Sequence, residues 1–214
     1  MSAATLLVLA DGRLPAGGHA HSGGLEAAVS AGRVTGIPDL SGFLRGRLAT
    51  SGVVAAAFAA AACAGPARAQ DLDAGLDART PSPALRAASR AQGRALLRAG
   101  RAMWPVPDIG REPHHPIALG VVAAAAGLSP RDAAVAAAYG TLTGPATAAV
   151  RLLGLDPYRA HALLAGLAPE CDRIAADAAT RADDPVDALP AAGAPLLDIG
   201  AELHASWEVR LFAS

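Results

Sequence analysis

Ser129-Pro130-Arg131-Asp132 opens a run that continues through Ala133, Ala134, Val135, Ala136, Ala137 and Ala138 to Leu142. Its reading decides the fold. A serine ahead of a proline is a helix start, because the hydroxyl can accept one of the unpaired amide N–H groups of the first turn, and proline at the first helical position gives up no intrahelical bond. Asp132, three residues on, completes a capping box with a shorter acid than the usual glutamate. The same punctuation recurs at Ser82-Pro83 and Asp156-Pro157. Between these starts lie windows rich in Ala, Leu and Arg, with few β-branched or aromatic residues and no alternating run that would build a sheet. The pattern predicts an all-α, single-domain bundle of about ten helices spanning residues 1–214.

The helices expected are Thr5 to Ala10, Gly23 to Ala31, Pro38 to Cys63, Leu72 to Ala78, Pro83 to Trp104, Pro116 to Gly127, Pro130 to Leu142, Pro145 to Leu153, Pro157 to Leu167, Pro169 to Ala182 and Pro195 to Phe212. Gly and Pro mark irregular stretches at Asp11 to Ser22, Pro105 to His115 and Asp183 to Ala194. A chain of 214 residues can bury roughly 70% of its unfolded surface, enough for a full core.

Composition excludes several function classes. All 18 basic residues are arginine, so there is no lysine for a phosphate-binding P-loop or for a Schiff base. The formal charge of −1 gives no general attraction to nucleic acid or to an anionic membrane. Cys63 and Cys171 form no CxxC pair and are too few for a thiolate cluster; they read as small buried hydrophobes in a reducing cytoplasm. The apolar start ends at Asp11, too short for a secretory signal, and the tracts Val53 to Ala64 and Ile117 to Leu128 fall below the length of a membrane span. No nucleophile elbow, HExxH helix, EF-hand loop or dinucleotide fingerprint is present.

Four segments carry candidate chemistry. In the loop from Leu14 to Glu26, Gly17, Gly18, Gly23 and Gly24 permit backbone shapes or close approaches that side chains obstruct. His19 and His21 lie in that loop; they are the weak metal-ligand candidates, since two imidazoles do not complete a coordination shell. His114-His115 sits before Pro116 at a helix start, where neutral imidazole is favoured over its cation. His161 and His204 fall inside predicted helices. On the helix from Pro83, Arg86, Arg90, Arg94, Arg98 and Arg101 fill an arc of about 120°, either solvated, paired within the chain or turned to an acidic partner. On the last helix, Leu196, Ile199, Leu203, Trp207 and Leu211 share one arc, a core face or a docking face.

Several of these pieces also resemble one family. Leu14-Pro15-Ala16-Gly17-Gly18 with His21-Ser22-Gly23-Gly24-Leu25-Glu26 is similar to the amino-terminal signature of UreF urease accessory proteins. Ser89 to Leu97 is similar to the family's S-x-x-x-G-x-x-LL helix, His115-Pro116-Ile117-Ala118-Leu119-Gly120 to its H-P-x-A-x-G segment, and Pro195 to Phe212 to its carboxyl end. The chain departs from the pattern at His19, where the family usually has Phe, and at Ala205, where it often has Glu. The resemblance implies a non-enzymatic, dimeric, cytoplasmic helical adaptor. It would join UreD (also called UreH) and the GTPase UreG on apo-urease and couple GTP hydrolysis by UreG to nickel insertion. Nickel and GTP would then be handled by partners, with no cofactor bound stably, no nucleic acid and no membrane. The partner-binding candidates it selects are Gly17, Gly18, His21, Ser22, Gly24, Glu26, Arg90, Arg94, His115, Asp198, His204, Trp207 and Arg210. The alternative is a nickel metallochaperone that holds the ion through His19, His21 and other histidines.

Overall fold

The computed structural model describes residues 3–213, and among them every regular element is helical. The α-helices are α1 (Ala3–Ala10), α2 (Leu25–Ser30), α3 (Ile37–Arg47), α4 (Val53–Ala64), α5 (Ala69–Ala78), α6 (Pro83–Arg101), α7 (His115–Ala125), α8 (Pro130–Leu153), α9 (Pro157–Thr180) and α10 (Pro195–Ala205). The three predicted caps form as read. Ser82 Oγ accepts from the Leu85 amide, Asp156 from the Tyr158 amide, and Ser129 and Asp132 make the reciprocal capping box.

Helix α4 is the axis of the bundle and packs against α7, α8 and α9. Its sequence explains why. Ala56, Ala57, Ala59, Ala60, Ala61 and Ala62 are all buried, and so many methyl-sized side chains let the neighbouring backbones come close. Gly120 on α7 is the extreme case: a Cβ there would stand 2.3 Å from the Ala59 carbonyl oxygen. Larger side chains, led by Phe58, Leu40, Leu44, Leu48 and Leu142, fill the space between helices. Cys63 and Cys171 are buried, unpaired thiols, as expected, and burial pushes both up to about 11.

Three expectations need correction. Helices α8 and α9 each run unbroken through a proline, Pro145 and Pro169, where the sequence reads as two shorter helices. Proline removes a donor without preventing its neighbours from staying helical, so the rod survives where packing holds it. Conversely, the last helix stops at Ala205, short of Phe212, so Trp207 and Leu211 lie on the non-helical tail beyond it. Finally, the helix expected over Pro38 to Cys63 does form as one rod, Ile37–Ala64, with a π-helical turn at Leu48–Gly52. Whereas the tract Val53 to Ala64 falls below spanning length, the whole rod is long and apolar enough to cross a membrane by length and composition alone. Most of its apolar stretch is buried inside the bundle, which accounts for that composition.

Candidate partner-binding site

The glycine-rich loop and the carboxyl-terminal tail, nearly a chain length apart in sequence, form one structure. Gly17, Gly23 and Gly24 have φ of 74°, 60° and 88°, in the left-handed region that favours glycine. Gly24 starts α2, and directly behind it Glu26 is buried at 7% exposure. The Glu26 carboxylate accepts from the Leu211 amide at 2.9 Å and the Phe212 amide at 3.0 Å, and lies 2.8 Å from His204 Nε2. Its own amide donates to Ser22 Oγ. Ala213 N–H then donates to the Ala20 carbonyl, closing the tail over the loop. Burial by itself raises the Glu26 pKa, but the Leu211 amide, the His204 ring and the Phe212 amide outweigh it and hold the carboxyl below its usual range. Trp207 packs edge-on against His204, ring centroids 4.8 Å apart.

With the tail clasped, the apolar arc of α10 turns outward. Leu196, Ile199 and Leu203 are 64%, 57% and 58% exposed, and Leu211 and Val209 on the tail are exposed as well. The opposite side of α10 holds the helix to the bundle through buried Ala201 and His204 and through Glu202, whose carboxylate accepts from Ser82 Oγ and the Ala84 amide at the start of α6. The arc is therefore a surface, not a core face. Arg210 is exposed beside it, and Asp198 lines a cavity on the inner side.

Four arginines of the α6 arc, Arg86, Arg90, Arg94 and Arg101, are paired within the chain. Arg90 reaches Asp73 at 3.0 Å, Asp77 at 2.7 Å and the Glu112 carbonyl; Arg94 pairs with Glu112 and Arg101 with Asp108. The same acids hold His114, whose ring contacts Asp77 and Ser89 Oγ and whose amide donates to Asp73. Gly93 lets this layer close, since a Cβ there would meet the Pro113 carbonyl oxygen at 2.0 Å. Ser89 and Gly93 of one motif, and His115 and Gly120 of the next, thus serve the crossings of α6, α7 and α4.

His21 and His115 do come together. Both line one cavity of about 350 Å³ with His19, and each is held towards its neutral form, His21 by burial and then His19, His115 by burial and then His21. Burial takes His115 down to about 4. Among the described residues, no three His, Cys, Asp or Glu side chains are grouped to hold a metal ion. Gly18 is exposed, with open space where a Cβ would stand.

Sequence reasoning missed Arg47. Proline at 145 cannot donate to the Thr141 carbonyl, and Arg47 Nε–H takes that vacated acceptor at 2.9 Å. An arginine and a helical proline about a hundred residues apart gave no signal that they would meet.

A UreF family model matches residues 34–168, more than half of the chain. The chain is 52% identical over 213 residues to the urease accessory protein UreF of Mycobacterium sp. (strain JLS), covering 98% of both chains. This chain belongs to the UreF family of urease accessory proteins. It is also 50% identical to UreF of Mycolicibacterium vanbaalenii, covering 100% of this chain and 99% of that one, and 44% identical to UreF of Mycobacterium tuberculosis at the same coverage. The four motifs that resemble UreF are thus accounted for by family membership. Within the fold they divide between helix crossings, on α6 and α7, and the clasp between loop and tail.

Proposed function

We propose that this UreF-family chain is a non-catalytic, cytoplasmic adaptor, acting as one unit over residues 1–214 and as a homodimer. It joins UreD (UreH) and UreG on apo-urease and couples GTP hydrolysis by UreG to nickel insertion, the nucleotide and the ion both being handled by its partners. The observation that carries this reading is the outward apolar face of α10 and the tail, Leu196, Ile199, Leu203 and Leu211, held in place by the Glu26 clasp. Exposed apolar side chains clustered on an ordered terminal helix are characteristic of a docking surface. We assign that face to UreD, and the glycine turn at Gly17 and Gly18, of which Gly18 is exposed, to the same assembly. The absence of lysine supports leaving nucleotide chemistry to UreG.

A pulldown with the tagged protein from a urease-positive host tests the assignment. Recovery of UreG and UreD together with urease is expected. Their absence under gentle conditions, with the protein folded, would overturn it.

A further inference from the structure

Two cavities of about 220 and 350 Å³ share a waist formed by Gly23, Arg47, Gln92, His115 and Gly140, which line both. The charge at this waist is unbalanced. The Arg47 guanidinium uses Nε–H on the Thr141 carbonyl, and its two Nη groups have no protein acceptor among the described residues. Burial pulls Arg47 down to about 10, with no carboxylate among the described residues to offset it, yet at neutral pH it remains a cation. The acids that line the two cavities are Asp11, which is bound to Arg13, and Asp198. Neither pairs with Arg47.

The position of Arg47 is built by the fold. It is the last residue of α3, directly before the π-helical turn, and its Nε is pinned by the carbonyl that Pro145 leaves free. Gly23 makes room for the guanidinium: a Cβ there would stand 3.0 Å from Nη2. The other polar groups of the waist have capacity left. The His115 ring makes no hydrogen bond to the protein among the described residues and stays neutral, so one ring nitrogen carries a proton to donate. The Gln92 amide makes only a 3.5 Å contact to Ala88 in its own helix.

We propose that the waist binds a small free oxyanion of the carboxylate type, held bidentately by the two Nη groups of Arg47, with His115 and Gln92 supplying further N–H donors. A fixed guanidinium fork matches the two oxygens of a carboxylate and distinguishes it from a monatomic anion of the same charge. This function is separate from the docking role of α10.

The test is a titration of the full-length protein with ¹³C-formate at neutral pH, followed by line broadening and repeated in chloride of equal ionic strength. Saturable formate binding that chloride does not displace is expected. Arg47→Gln should weaken it at least about tenfold, and Arg47→Lys, which keeps the charge without the fork, should weaken it less. Because Arg47→Gln also loses the bond to Thr141, a second variant, Gln92→Leu with His115→Phe, leaves Arg47 in place and should still weaken binding by a few-fold. No saturation in the millimolar range, or equal binding by a folded Arg47→Gln variant, would overturn the proposal. Displacement of formate by a hexaglutamate peptide at lower concentration than by acetate would also overturn it, by naming a protein-borne carboxylate as the occupant.

Discussion

The arginine arc of α6 and the apolar arc of α10 are both one-sided patterns on helices, and each reads in sequence as either an internal face or a docking face. The structure treats them in opposite ways. On α6, Asp73, Asp77, Asp108 and Glu112 arrive from α5 and from the loop before α7, so Arg86, Arg90, Arg94 and Arg101 are met within the chain. On α10, the inner side is committed to α2 and α6, and the apolar arc is left facing solvent. A stripe therefore predicts an interface only when the chain has nothing to lay against it. For α6 the acids were present in the sequence, but they become partners only when α5 packs beside α6 and the loop from Pro105 to Pro113 folds back.

The largest effect is expected where the contrast is anchored. Glu26→Ala removes the acceptor for two backbone amides and leaves His204 buried without its carboxylate, so unfolding free energy should drop by about 3–5 kcal/mol in chemical denaturation. A loss below about 1 kcal/mol would mean that the clasp does not order the tail. His115 lies between α6 and the glycine-rich loop, with its amide on Ser89 and its ring towards His21. The folded protein keeps it neutral to about pH 4, whereas the unfolded chain protonates it near 6.5. Between those values the unfolded state binds the extra proton, so stability falls as pH drops from 6.5 to 4 and is unaffected above that window. With the ring open to a cavity, a loss of about 2 kcal/mol is expected, and His115→Gln should flatten that part of the profile. The smallest effect belongs to the outer arc of α6. Arg94→Ala breaks a half-exposed pair with Glu112 and should change stability by less than about 0.5 kcal/mol while leaving partner recovery intact. Loss of UreG or UreD in the pulldown of this variant would show that α6 docks after all.

Helix starts were legible because Ser82, Ser129 and Asp156 act on amides two or three residues away. Helix ends and breaks were less so. Pro145 and Pro169 carry the same local signal as the prolines that open helices, and only packing on both sides keeps α8 and α9 whole. The tail from Ser206 reads as helical by its apolar spacing, yet Glu26 draws the Leu211 and Phe212 amides into bonds that a helix would have used internally. Of the candidate residues, Glu26, His204 and Trp207 converge, and His21 meets His115. Arg90 and Arg94 sit apart from them in an internal ion-pair layer. Arg47 was illegible because its meaning lies in what Pro145 lacks.

The central claim, that the outward face of α10 is the docking surface for UreD, is tested most directly by the affinity of the Ile199→Asp, Leu203→Asp double variant for purified UreD. Both positions are exposed, so the variant should fold and melt as the parent does. Desolvating two carboxylates in an apolar contact should cost about 2 kcal/mol or more, a roughly 30-fold or greater loss of affinity. Unchanged affinity in a folded variant would contradict the account.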